Sequence, residues 1–537
     1  MFATVELSVT CNTPDAMLRL HLGEKLDASG NVDRQPPGTI RYRSIDVKLT
    51  VGTHCYRIAI PPDTQNTGPA AIPLPVEAGD VVPFRYCEID ANHATPTVER
   101  IHQLAIHVPF DDTAASFECS DATLNAVWQL CRHTIKATTF CGMYVDGDRE
   151  RIPYEGDAYI NQLSHYACDA HYQTARYTHE YLVQHPTWFA DWNMHSVFMA
   201  WADVLYTGDR ESVNCFYDDL VAKTLIDLGA EDGLISTAAP RPAELERKLH
   251  LFHARYIAKD SLQDLVDWPP GSFTVGGIGE RDNHDMRPIN TVINALHYRA
   301  LVLMAAMARL IDRTSDADRF SRQAEKVRQA INSKLFDPTR GIYIDGEGSS
   351  HASLHSNMMP LAFGLVPPKR RDTVLQFVKS RGMACSVYGA QYLLEGLYDY
   401  GEAEYALSLM TSRSDRSWWH MLEQGSTMTL EAWAHRYKNN LDWNHAWGTA
   451  PINIIPRKLM GIEPVAPGYA HIRLRPQPAS LTHVSIKVPT PLGPIIADYD
   501  GTTSQRRYTI TVPGEMRVDL DDAVRQSLAV DVRRMEA

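Results

Sequence analysis

Much is missing from this chain of 537 residues. No Cys-x-x-Cys pair or Cys/His zinc spacing occurs, and the nine cysteines are scattered and odd in number. This argues against a structural zinc and a disulfide framework, and free thiols suit a reducing compartment. There is no Gly-x-Gly-x-x-Gly, P-loop, His-Glu-x-x-His or Gly-x-Ser-x-Gly. Dinucleotide, P-loop nucleotide, zincin and α/β-hydrolase chemistry therefore lack their usual carriers. Basic excess is absent too. A net charge of −13 argues against nucleic acid or an anionic membrane as main partner. No run of 18 apolar residues occurs, which excludes an ordinary membrane-crossing helix. The opening MFATVELSVTCNTPD has no basic segment followed by an apolar one, so a cytoplasmic location is expected. It reads like mid-strand, which leaves the start codon open. Low-complexity tracts and short repeats are also absent.

What is there reads as a soluble globular protein, with 44% hydrophobic and 22% charged residues. The length exceeds one ordinary core and predicts two or three units. Residues 1–115 alternate as strands do in TIRYRSIDVKLTV and CYRIAIP, with turn clusters such as PPDTQNTGPAAIPLP between them. A β-sandwich is expected there. Residues 116–460 turn helical, with Ser120 as the expected N-cap of the first helix. Further helices are expected near 157–184, 195–207, 211–228, 290–312, 316–335, 369–381, 390–411 and 429–437. The segment NTVINALHYRALVLMAAMARLIDR is apolar nearly all round, as a buried helix is. Many helix pairs with short loops predict a helical toroid, with an α-solenoid as the alternative. Residues 461–537 return to strands, read as a small β-sandwich.

Two stretches concentrate chemistry. The first is DGDRERIPYEGD, with carboxylates at Asp146, Asp148, Glu150, Glu155 and Asp157 and guanidinium groups at Arg149 and Arg151. Alone, such a charge run reads more readily as a solvated loop than as a site. Its spacing is not that of an EF-hand, and its arginines would repel a cation. The second is GSTMTLEAWAHRYKNNLDWNHAWG, where Glu431 sits among apolar neighbours and Asp442, Asn444 and His445 follow. A carboxylate in such company is costly to bury without a purpose. Glu423 is a nearby competitor. Tryptophans mixed with polar residues suit the C–H face of a sugar. Trp192 and Trp268, beside Asp191 and Asp267, are read that way, whereas Trp201 within a helix is read as core. His351 and His355, four apart, are read as helix-surface or core histidines.

Together these stretches resemble glycoside hydrolase family 78, the α-L-rhamnosidases. DGDRERIPYEGD is similar to that family's Asp-x-Pro-x-Arg-x-Glu-Arg-x-x-Trp-x-Gly-Asp motif, with Tyr154 in place of its Trp and a short deletion. GSTMTLEAW is similar to its second acidic motif, and Asn444-His445 through Gly448 to a later one. The resemblance implies a multidomain α+β protein. Its central (α/α)6 toroid, of the six-hairpin glycosidase kind, would be flanked by N- and C-terminal β-sandwich domains. It implies inverting hydrolysis of terminal α-L-rhamnosides, with Glu150 as general acid, Glu155 as the rival acid, and Glu431 as general base. Asp146, Arg149, Tyr154, Asp157, Trp192, Trp268 and His445 would bind substrate. The carboxylates crowded around Glu150 suit a group that must hold a proton, and His445 or Asn444 would orient Glu431. No metal or cofactor is required, and the partner is a rhamnose-containing carbohydrate, with a homodimer as a candidate assembly. The alternatives are another (α/α)6 glycosidase, a phosphorylase, a lyase, or a carbohydrate-binding relative without catalysis.

Overall fold

The computed structural model describes every residue except 92–95, 239, 241–242, 252–261, 274–276, 278, 503–504 and 536–537. The first domain is built on alternation. In β1 (Phe2–Cys11) the residues Ala3, Val5, Leu7, Val9 and Cys11 all turn inward and are buried. β1 pairs with β4 (Gly52–Arg57), β5 (Val82–Pro83) and β7 (Thr97–Ala105). A second sheet runs in the order β3 (Tyr42–Lys48), β2 (Met17–Gly23), β6 (Tyr86–Asp90). Leu18, Leu20 and Leu22 of β2 share one core with the inward residues of β1, so the two sheets form a sandwich.

Helices follow. Those nearest the axis are α2 (Glu155–Cys168), α4 (Ala190–Thr207), Thr291–Leu310, Leu354–Ala362, Gly389–Asp399 and Ala450–Ile454. Each touches the next and the last touches α2, so the ring closes into a toroid rather than an open solenoid. Outer helices such as α1 (Ala122–Thr138), α3 (Gln173–Gln184) and Thr314–Lys334 pack against this ring. The two layers differ as their positions require. α2 is buried at every residue but Tyr159, whereas Thr314–Lys334 buries a stripe of Ala317, Phe320, Ala324, Val327 and Ile331. Thr291–Leu310 is long and apolar enough to cross a membrane by length and composition, yet 78% of that window is buried inside the protein. It is a core helix of the ring.

Several expected helices differ. The cap of α1 is Asp121, which accepts from the Leu124 N–H at 2.9 Å, while Ser120 accepts from the Thr482 N–H. The run 157–184 divides after Cys168, where Asp169 turns its carboxylate back on the Ala170 N–H, a local bond that competes with the helix. The run 390–411 divides at Gly401, whose φ of +84° ends a helix at little cost. The run 211–228 is two short helices and a 3₁₀ turn. Residues 429–437 form no α-helix. The backbones of Thr429 and Glu431 pair with His445 and Asp442, leaving only a 3₁₀ turn at His435–Tyr437. In the C-terminal domain, strands His483–Val488, Ile495–Asp500, Arg507–Val512 and Ala529–Arg534 form one sheet. Its edge is β8 (Ser116–Cys119), from the start of the helical segment. A second sheet joins Ile462–Pro464, His471–Leu474 and Arg517–Leu520.

The N-terminal sandwich grips the loop 146–154 from behind. Arg41 Nε lies 2.5 Å from the Asp148 carboxylate, and its Nη2 donates to the Asp148 carbonyl at 2.7 Å. Asn66 donates to the same carbonyl, and Arg151 meets Asp148 at 2.8 Å and Asp80 at 2.9 Å. Breaking a buried ion pair strands a charge in low dielectric. Arg41→Met is therefore expected to cost about 3 kcal/mol, seen as a clearly lower Tm. Arg19→Met, at the half-exposed Arg19–Asp46 pair, should leave Tm almost unchanged. Equal melting of the two variants would contradict the grip.

Candidate active site

Loop 146–154 enters α2 through a tight reversal. The Asp146 N–H donates to the Ile152 carbonyl at 2.8 Å, and Gly147 takes φ +130°. A Cβ at Gly147 would lie 2.7 Å from Asn444 Oδ1, so only glycine fits there. Residues along the loop then alternate in destination. Asp148 and Arg151 turn to the N-terminal sandwich, while Asp146, Arg149 and Glu150 turn to a cavity of about 250 Å³. That cavity is also lined by Tyr154, Asp157, Trp192, Trp268, Glu431 and His445. The nine catalytic and substrate-binding residues expected from sequence thus share one cavity. Trp188, Phe189 and Trp447 complete it.

Glu155 does not line it. It is fully buried and accepts from the backbone N–H and the hydroxyl of Thr187, at 3.0 and 2.5 Å. It ties the start of α2 to the loop before α4, away from the cavity where a rival acid would have to stand. Glu423 is also elsewhere: it is half-exposed and accepts from the Trp419 indole.

Arg149 is the centre of the site. Its Nη1 and Nη2 donate to both Glu431 carboxylate oxygens, at 2.6 and 2.9 Å, and its Nε donates to Glu150 at 3.2 Å. Lys438 Nζ stands 3.0 Å from Glu431. Burial alone would push the Glu431 carboxyl up; Arg149 and then Lys438 outweigh it and hold it well below the usual carboxylate range. Glu431 is 2% exposed and ionised, whereas Glu150, 36% exposed at the cavity, accepts from the Tyr154 hydroxyl at 2.8 Å. Asp146 is buried, with one carboxylate oxygen lacking a hydrogen-bond partner. Burial and then the neighbouring Glu150 charge push the Asp146 carboxyl well above the usual carboxylate range.

Opposite them, His445 Nε2 lies 2.7 Å from Asp157 and Nδ1 lies 3.5 Å from Asp442. Burial opposes its charged form, but Asp442 and Asp157 prevail and raise His445 well above its ordinary value. Glu431, Asp442 and His445 bring ligand-type atoms within 4.8 Å of one another. With Arg149 and Lys438 already on Glu431, however, that donor set is an ion-pair cluster and a poor metal cage. The expected orienters of Glu431 differ: Asn444 accepts from the Asp148 N–H and donates to Glu24, and the orienting role falls to Arg149 and Lys438. Trp447 donates its indole N–H to the Glu431 carbonyl.

The aromatic wall is fixed from behind as well. Trp192 packs edge-on to Tyr154 at 5.2 Å and to Phe189 at 4.9 Å. Gly156 leaves it room, since a Cβ there would come within 2.5 Å of the indole nitrogen. Trp268 follows Asp267, a buried carboxylate held by His355 at 2.6 Å and by Ser386. His355 is thus a core histidine with an acidic partner, whereas His351 is partly exposed, lies outside any helix and pairs with the buried Asp345.

A ring of helix pairs carrying this cavity matches the bacterial α-L-rhamnosidase six-hairpin glycosidase domain over residues 112–459, and the bacterial α-L-rhamnosidase C-terminal domain over 461–531. The chain belongs to the bacterial α-L-rhamnosidase family. It is 22% identical to an α-L-rhamnosidase of Formosa agariphila over 495 residues, covering 83% of this chain and 48% of that protein. The fold is similar to a family 78 rhamnosidase of Bacillus sp. GL1, with TM-score 0.75 and 18% identity over all of this chain and 53% of that one. It is also similar to a Streptomyces avermitilis α-L-rhamnosidase complexed with L-rhamnose, with TM-score 0.69 and 18% identity, over 94% of this chain and 46% of that one. The chain thus spans about half the length of these relatives.

Within this rhamnosidase-family domain, position separates the two glutamates of the acidic loop. Glu155→Gln removes half of a buried charge arrangement with Lys223 and Thr187. It should cost about 1–3 kcal/mol and lower Tm. Glu150→Gln, at the cavity, should barely move it. Differential scanning calorimetry decides; a larger loss at Glu150 would reverse the assignment.

Proposed function

We propose that the chain hydrolyses terminal α-L-rhamnosides with inversion of configuration. The observation that carries this reading is the single guanidinium of Arg149 bonded to two unlike carboxyls, one buried and ionised, the other open to the cavity. Inverting hydrolysis needs that division, with a gap of about 6.5–9.5 Å for water between the two groups. A guanidinium between the carboxyls keeps them out of direct contact. Glu150, protonated, gives its proton to the glycosidic oxygen as the bond to the anomeric carbon breaks. A water attacks that carbon from the opposite face and passes a proton to Glu431. Exchange with solvent resets both groups. The hydrogen-bonded His445–Asp157 pair and Asp146 offer donors and acceptors for sugar hydroxyls, and Trp192 and Trp268 offer apolar faces.

Glu150→Gln and Glu431→Gln should each lower kcat on an aryl α-L-rhamnoside by about 10²–10⁴-fold. The Glu150 variant should recover on an activated phenol leaving group, and the Glu431 variant should not. Proton NMR of the first product should show β-L-rhamnose. Near-normal turnover by either variant, or retention of the α-anomer, would sink the reading.

The pH profile tests the grip on the base. Glu431 must be ionised to act, and its depressed pKa keeps it so as pH falls. Lys438→Met removes one of its two cations, so its pKa rises. The acidic limb of kcat/KM should then move to higher pH, and an unmoved limb would contradict the arrangement.

A further inference from the structure

Among the large residues of the inner ring that escape full burial are Tyr159 on α2 and Trp201 on α4. Both line a second cavity of about 280 Å³, as large as the catalytic one. It lies farther along the same helices: Trp201 is nine residues beyond Trp192, about 13–14 Å along the axis. Arg299, Arg457, Arg473 and Glu463 complete its polar side. Arg457 is paired with Glu395 at 2.7 Å and donates to Asn453, and Arg473 is paired with Glu463. Arg299 is half-buried and, among the described residues, its guanidinium makes no hydrogen bond or ion pair. The Trp201 indole N–H likewise has no partner among them. A guanidinium without a hydrogen-bond or ion-pair partner, lining the same cavity as an indole, is a combination that takes a carboxylate or phosphate together with the apolar face of a sugar ring.

We propose that this second cavity binds an anionic sugar, a hexuronate or a sugar phosphate, with Arg299 taking the acidic group and Trp201 the ring face. It is separate from the cleft in which the bond is broken, and shares no lining residue with it. Titration calorimetry of the full chain with D-glucuronate, with D-glucose 6-phosphate and with uncharged D-glucose tests the site. At least one anionic sugar should bind, and D-glucose at least tenfold more weakly. Arg299→Ala and Trp201→Ala should each weaken the anionic ligand at least tenfold, and Glu431→Gln should not. Binding of the uronate alone assigns a carboxylate ligand, and binding of the phosphate alone a phosphoryl one. Absence of binding by either, binding that survives Arg299→Ala, or binding lost in Glu431→Gln overturns the proposal. Melting curves matching wild type establish that the variants fold. Arg299→Gln, which keeps the side-chain stem, carries the test where the alanine variant melts early. Because no turnover is read, failure here is distinct from failure of the hydrolytic mechanism.

Discussion

The two-point grip of Arg149 on Glu431 is the interaction on which the rest of the site depends. A carboxylate that is 2% exposed would, left alone, take up a proton. The planar fork satisfies both oxygens at once, and Lys438 adds a second cation. The same guanidinium reaches Glu150 through Nε, so the charge that keeps one carboxyl ionised also fixes where the other sits. A lysine at 149 could supply the charge but not the two parallel bonds together with the third. Burial and this shared guanidinium therefore place the two carboxyls in unlike surroundings, one enclosed and one open to the cavity.

That grip works only if the loop carrying Arg149 is itself immobile, and the N-terminal sandwich supplies the constraint. Glu24 is buried, and burial pushes its carboxyl up to about 8. It accepts from the Arg41 N–H at 2.8 Å and from Asn444 at 3.1 Å. Asn444 in turn accepts from the Asp148 N–H at 2.8 Å. One side chain thus links the sandwich, the loop bearing Arg149 and the loop bearing His445. The sandwich completes the cavity's frame without lining it. This gives a physical reason for a β-domain to precede the helical ring.

The parts of this arrangement legible in the sequence were those with strong local signals. Alternation marked the sandwiches, nearly continuous apolar runs marked the inner helices, and the density of carboxylates and tryptophans marked the cavity wall. Pairings over nearly 300 residues left no such signal. Nothing in the sequence around Arg149 points to Glu431, 282 residues on, and even Lys438, only seven residues from Glu431, lies in an ordinary-looking Tyr-Lys-Asn-Asn stretch. Asn444 was visible as a polar residue beside His445, but its partners are Asp148 and Glu24. Local composition also misled. Residues 429–437 look helical, yet their backbone bonds are spent on segment 442–445, the contact that places Glu431 beside His445. Glu150 and Glu155 are equivalent as letters. They separate only because Glu155 is the first residue of α2 and faces Thr187.

Exposure on the inner ring is more informative than residue type. A helix in the inner layer is surrounded by its two neighbours in the ring and by outer helices, so burial is its default. On α2 and α4 the departures are few, and Tyr159, Trp201 and Leu205 among them face the second cavity. Trp192 is 5% exposed and still lines the catalytic cavity, because its neighbours leave a hollow rather than a surface. Two tryptophans on one helix therefore serve two hollows, and their spacing along the axis sets the distance between them. The two cavities are also framed by different domains. The N-terminal sandwich backs the loop that lines the first, while Glu463 and Arg473 of the C-terminal domain help wall the second.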